Sequence, residues 1–281
     1  MLNSIIKSGF VVFMSISFGI NASPRILSME KDGAVGKYYP ASSPEKRVGV
    51  LVLGGSEGGQ PELLAKAVVE AGHPTLALAY FNAQALPAEL ERIPLEYFDQ
   101  AKTWLQQQQN VKSDELIVVG WSKGAELALL LASKDKQISR VVAIAPSSVV
   151  WAGILKDWTK VPASSWTYQG QELAHVPFKP SGPVNSLLDL YKQSLANRVD
   201  QSKATIQVET ISARVVLMTG EKDEIWPSPQ MAEDICSRMN LKQHDSCEHL
   251  NYDGLDHLLN NRFLDKNDVL NQTFTTKLNG E

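Results

Sequence analysis

The pentapeptide Gly120-Trp121-Ser122-Lys123-Gly124 sets a serine between two glycines, after an apolar run at 116–119 and before a helix-forming run at 125–133. A serine carried on so sharp a strand-to-helix turn stands with its hydroxyl clear of the sheet, which suits it to nucleophilic attack. Glycine belongs on either side because a tight turn leaves no room for side chains against neighbouring backbone. The start of the following helix favours negative charge that develops beside it. A serine hydroxyl is a weak nucleophile near neutral pH. It needs a base within hydrogen-bond reach, and that base needs a carboxylate to fix its tautomer.

With this elbow the chain order is serine, acid, histidine. Asp223 follows the apolar run 215–218 in Thr219-Gly220-Glu221-Lys222-Asp223, a loop beyond the carboxyl end of a strand, where open α/β sheets bind ligands. Glu221 and Glu224 are the rival acids. Of the five histidines, only His244, His249 and His257 come after Asp223. His257 sits in a turn after the expected last strand at 248–252, where the final loop delivers a base; His249 would lie within that strand and His244 before it. Two backbone N–H groups should meet the charge on the attacked oxygen. The amide of Lys123 is one; the amide of Ser56, in Gly54-Gly55-Ser56-Glu57-Gly58-Gly59, is the other, with Glu57 as its alternative.

The elements that must hold these residues are visible as short runs rich in valine, isoleucine and leucine at 48–53, 75–79, 116–119, 141–144 and 215–218. They are apolar on successive residues, as strands buried on both faces of a parallel sheet are. Helical spacing occupies 62–71, 95–107, 124–133 and 230–239. This alternation predicts an α/β-hydrolase fold with a mostly parallel central sheet flanked by helices. Residues 25–39, with Asp32-Gly33 inside, read as a β-hairpin leading into the sheet. The interval 151–204 breaks the rhythm, with one helix near 185–195 and no strand signal, and is expected to be a cap beside the site. Trp121, Trp151 and Trp166 are candidates for an apolar, substrate-binding wall.

The chain has 281 residues, 43% hydrophobic and 21% charged, the balance of one globular domain. Its formal net charge of −4, with both signs interspersed, argues against nucleic acid as a partner. Lys7 followed by an uncharged, mostly apolar stretch and Ile20-Asn21-Ala22 reads as a signal peptide occupying residues 1–22, leaving 23–281 as a single domain exported to a periplasmic or extracellular space. Removing 1–22 takes away one lysine and no acid, for a net charge of −5, and leaves no stretch expected to span a membrane. Cys236 and Cys247, the two cysteines, suit a small disulfide loop. No histidine and carboxylate cluster has metal-ligand spacing, so neither a metal nor another cofactor is expected. Nothing in the sequence specifies an oligomeric state.

The segment from Leu51 to Gly59, together with Gly120 to Glu126, resembles the catalytic domain of the acyl-CoA thioesterase and bile acid-CoA:amino acid N-acyltransferase family. Tyr80-Phe81, Leu86-Pro87, Ile93 to Phe98, Ser165 to Tyr168, Gly220 to Asp223 with Trp226-Pro227-Ser228, and Gly254 to His257 extend the resemblance over most of 33–260. It implies attack by Ser122 on an acyl thioester, an intermediate held by the Ser56 and Lys123 amides, and an acyl-enzyme hydrolysed by water activated at His257. Family members that transfer acyl groups to amino acids typically carry cysteine as nucleophile, and serine favours hydrolysis. The family's animal members also carry an N-terminal immunoglobulin-like domain, for which residues 23–46 are too short. Asp256 stands where a small residue is usual, and its carboxylate would raise the imidazole pKa. The same triad would serve an oxygen-ester carboxylesterase resembling dienelactone hydrolases. A non-catalytic binding protein on the same fold is the third reading.

Overall fold

The computed structural model describes residues 23–43, 45–198, 200, 202–242 and 245–281; the expected signal peptide and His244 lie outside the described residues. In chain order the elements are β1 (Arg25–Leu27), α1 (Met29–Asp32), β2 (Val35–Tyr39), β3 (Arg47–Leu53), α2 (Glu62–Glu70), β4 (Thr75–Ala79), β5 (Ile93–Pro94), α3 (Leu95–Gln106), β6 (Val111–Trp121), α4 (Lys123–Ala132) and β7 (Ile138–Ile144). They continue with β8 (Trp166–Tyr168), β9 (Gln171–Glu172), α5 (Leu187–Ala196), β10 (Arg214–Gly220), α6 (Ser228–Lys242), β11 (Cys247–Tyr252) and α7 (Val269–Asn279).

Eight strands form the main sheet in the order β1-β2-β4-β3-β6-β7-β10-β11. The pairs from β4 through β11 are parallel, and β1 and β2 add an antiparallel edge. Strand side chains alternate between faces, and the central runs are apolar at every position because both faces are covered. Leu51, Leu53, Val118 and Leu217 pack with residues of α3, α4 and α6 on one side. Val50, Val52, Val119 and Val216 pack with residues of α2 and α7 on the other. Each such side chain contributes roughly 1.5–3 kcal/mol by leaving water.

Two sequence expectations change. The predicted hairpin at 25–39 is an antiparallel β1–β2 pair, but its connection is the single helical turn α1, closed by Gly33 at φ 68°. The interval 151–204, expected to lack strands, contains β8 and β9, which join β5 in a separate three-stranded sheet. These strands are two or three residues long and half-exposed, too short to show a period. The cap packs on the main domain through an aromatic cluster, with its Trp151 and Tyr191 buried against Trp226 of the loop after β10 and Phe178 packed against them.

Cys236 of α6 and Cys247 of β11 are joined by a disulfide. It ties the last strand to the helix before it, and that strand leads directly into the loop bearing His257.

Candidate active site

β6 ends at Trp121 and α4 begins at Lys123, so the whole reversal falls on Ser122, with φ 53° and ψ −122°. A non-glycine residue in such a conformation costs on the order of 1–3 kcal/mol and persists where the surroundings dictate it. Here they do. A Cβ on Gly120 would lie 2.2 Å from the Gly124 carbonyl oxygen, and one on Gly124 would lie 2.3 Å from the carbonyl oxygens of Leu53 and Gly54. The elbow therefore nests against the β3 loop with no atom between them. A Cβ on Gly55 would lie 3.1 Å from that of Ser122, which brings the next residue, Ser56, to the mouth of the same cavity as the serine. Lys123 supplies the first amide of α4, one of the N–H groups that helix geometry leaves without a helical acceptor.

Asp223 and His257 arrive on loops after neighbouring parallel strands, β10 and β11. His257 Nδ1 lies 2.8 Å from both carboxylate oxygens of Asp223. The carboxylate also accepts the amides of Ile225 at 2.9 Å and Trp226 at 3.2 Å and the hydroxyl of Ser228. Four donors thus fix a buried acid, and the acid in turn orients the ring. The rival acids hold the histidine loop by its backbone: Glu221 accepts the amide of Gly254 and Glu224 that of His257. Asp256 turns away from the imidazole to accept the amides of Leu258 at 3.0 Å and Asn260 at 2.6 Å. His249 sits within β11 as expected and bonds Thr219, while burial lowers its pKa.

Ser122 and His257 face one cavity of about 520 Å³, with Ser56 at the same end. Their side chains are not hydrogen-bonded to each other in this structure. Ile154, Phe178, Leu190, Tyr191 and Ile225 make much of the remaining wall apolar. Of the three candidate tryptophans, Trp121 lines this cavity; Trp151 and Trp166 do not, and both are fully buried behind it. The cap tryptophan that does reach the cavity is Trp158, 71% exposed at the rim beside Val161, 89% exposed. Composition alone cannot separate a tryptophan that faces a cavity from one that supports its wall.

Sequence reading also missed what lies beneath the serine. Lys123 and Glu126 are 1% and 0% exposed, and their charged groups meet at 2.7 Å. Burial pushes the Glu126 carboxyl pKa up and the Lys123 amine pKa down, while each partner's charge opposes the change. Glu126 Oε1 accepts the Trp166 indole N–H at 2.7 Å and the Trp151 amide at 3.3 Å. The available signal was a lysine and a glutamate three residues apart on a helix otherwise built from alanine, leucine and glycine. Glu57, weighed only for its amide, instead uses its carboxylate to accept the Gly55 amide at 3.0 Å and the Trp121 indole N–H at 2.7 Å.

A serine on an elbow between parallel strand and helix, with an aspartate–histidine pair delivered by the last two strands of a mostly parallel sheet, defines an α/β-hydrolase. The solved structures agree on the fold: an alpha/beta hydrolase from Penicillium sp. sh18 superposes with a TM-score of 0.57 at 18% identity, covering 87% of this chain and 93% of that one. A puromycin-hydrolyzing peptidase of Mycobacterium tuberculosis gives a TM-score of 0.59 at 14% identity, over 92% of this chain and 39% of that one. Within this fold the chain belongs to the BAAT / Acyl-CoA thioester hydrolase C terminal family, whose model matches residues 93–264. It is 29% identical over 213 residues to acyl-coenzyme A thioesterase 1 of Homo sapiens, covering 73% of this chain and 47% of that protein. It is equally 29% identical over 213 residues to acyl-coenzyme A amino acid N-acyltransferase 1 of Mus musculus, covering 75% and 48%. The chain spans about half the length of these relatives.

Proposed function

We propose that this protein is an exported serine hydrolase that cleaves acyl thioesters through an acyl-enzyme. The observation that carries the reading is the convergence on one apolar cavity of a serine held at φ 53° and a histidine paired through Nδ1 with a buried aspartate. His257 Nε2 takes the proton of Ser122 as its oxygen attacks the acyl carbon; Asp223 holds the ring in the required tautomer and stabilises the imidazolium. The negative charge moves to the former carbonyl oxygen, where the Ser56 and Lys123 amides receive it. The imidazolium returns its proton to the departing sulfur, and water activated at the same nitrogen then hydrolyses the acyl-serine. The bond from Ser122 to His257 is made as the acyl group enters, by a small movement of side chains that already share the cavity.

One observation favours a second reading, an esterase acting on oxygen esters. Among the described residues, the cavity lining carries a single cation, Lys160, alongside the acids Glu57 and Asp157. A leaving group bearing several phosphates gains little from such a rim, and an exported enzyme would rarely meet free acyl-CoA.

Purified mature protein assayed on acyl-CoAs and on aryl esters of the same acyl chains decides between them. Thioesters turned over no better than aryl esters would hand the assignment to the esterase. Covalent labelling by a fluorophosphonate, lost in Ser122→Ala, is expected in either case; wild-type protein that resists labelling would leave a binding protein on this fold.

A further inference from the structure

A carboxylate with no exposure must replace its water with partners, or its burial costs several kcal/mol. Glu126 does so one helical turn after the nucleophile. Oε2 takes the Lys123 ammonium, and Oε1 takes two donors from the cap, the Trp166 indole and the Trp151 amide.

The two tryptophans pass that constraint outward. The Trp151 ring lies edge-on to Tyr191, with centroids 4.7 Å apart at 85°, and is stacked on Phe178 at 6.3 Å and 12°. Phe178 and Tyr191 present their other sides to the cavity that holds Ser122. Trp166 packs over the Lys123 ammonium at 5.5 Å and against Tyr80 at 5.8 Å. The Tyr80 hydroxyl donates to the Gly54 carbonyl at 2.6 Å, two residues before Ser56.

We propose that Glu126 is a positioning residue that sets which acyl chains the site accepts: by bolting the cap to the nucleophile helix, it holds the Phe178 and Tyr191 wall at a fixed distance from Ser122. This rests on Ser122 being the nucleophile of an acyl hydrolase. An acetyl group occupies only the end of the cavity beside the serine. A decanoyl chain must run along the apolar wall. Loosening the bolt therefore penalises long chains over short ones, whereas a general loss of structure penalises both alike.

The test compares two double variants, Lys123→Met/Glu126→Leu and Lys123→Met/Glu126→Gln, neither of which leaves a buried charge unpaired. The glutamine keeps an acceptor oxygen for Trp151 and Trp166; the leucine does not. In the leucine variant, kcat/KM for p-nitrophenyl decanoate is expected to fall about tenfold relative to the acetate ester, and the glutamine variant to return within about threefold of wild type. Decanoic acid binding, measured by calorimetry in the Ser122→Ala background, is expected to weaken and recover in parallel. Trp166→Phe removes one donor while keeping an aromatic, if smaller, side chain, and serves if the leucine variant does not fold; it is expected to move the ratio in the same direction. An unchanged ratio in the leucine variant or in Trp166→Phe, or an equal loss in the leucine and glutamine variants, would overturn the proposal. Wild-type protein inert on both esters and on the corresponding acyl-CoAs would sink the hydrolase reading instead, and decanoate binding would still decide the role of Glu126.

Discussion

Gly220 closes β10 where the acid loop begins, and its α-carbon faces the loop that carries the histidine. A Cβ there would lie 2.1 Å from the Asp256 carbonyl oxygen and 2.3 Å from that of Leu255. Carbon and carbonyl oxygen approach no closer than about 3.3 Å, so Gly220→Ala must push that backbone away by about 1 Å. The residue next in line is His257, whose Nδ1 is 2.8 Å from Asp223. A retreat of that size carries the ring out of hydrogen-bond reach, and it also strains the Lys222 amide bond to Leu255, now 2.9 Å. Misplacing a catalytic group by about 1 Å costs on the order of 10²-fold in rate. Overpacking of this kind costs about 1–3 kcal/mol in stability. Steady-state hydrolysis of an aryl ester, with thermal unfolding in parallel, measures both effects. A folded Gly220→Ala protein keeping more than about a third of wild-type kcat would refute the claim that this contact positions the base, because the loss worked out above is far larger.

Other perturbations test the remaining parts. Asp223→Asn keeps an oxygen for the Ile225 and Trp226 amides but sets an amide nitrogen where a carboxylate oxygen faced the imidazole; kcat is expected to fall about 10³- to 10⁴-fold with the fold intact, as assayed by ester hydrolysis beside circular dichroism. Replacing both Cys236 and Cys247 by serine opens a loop spanning a sequence separation of 11; chain entropy puts the loss at about 2–3 kcal/mol, to be read from the denaturant midpoint. Burial holds the folded-state pKa of His249 below its ordinary 6.5, so the unfolded chain binds more protons at mildly acid pH. The resulting stability is present above pH 6.5 and lost as pH falls toward the folded-state value, and His249→Gln should flatten that part of the stability–pH curve.

The central strands were legible because a parallel sheet covered on both faces demands unbroken apolar runs, and 48–53, 75–79 and 215–218 satisfy that demand without help from context. The strand-to-helix turn at Ser122 was legible through its flanking elements, and the meeting of Asp223 with His257 through chain order. What escaped depends on partners distant in sequence. Glu126 reads as an ordinary charge on a helix until Trp151 and Trp166 arrive from the cap to bond it. β8 pairs with β5, some seventy residues earlier, and β9 with β8 across a two-residue turn, in strands too short to show a period of their own. Trp151 and Trp158 differ in burial because of how the cap folds over the sheet, which no local pattern encodes. α7 carries an apolar face and the capping residue Asp268, and goes unnoticed because it follows the last residue that chemistry required.

The order of the main sheet divides the machinery in two. Ser122 and Ser56 follow β6 and β3, Asp223 and His257 follow β10 and β11, and β7 alone separates the two pairs. Close glycine contacts pack the first pair together, and the hydrogen bonds around Asp223 join the second. In the proposed mechanism the proton passes between side chains carried on either side of β7, so that one strand sets the spacing across which the reaction must work.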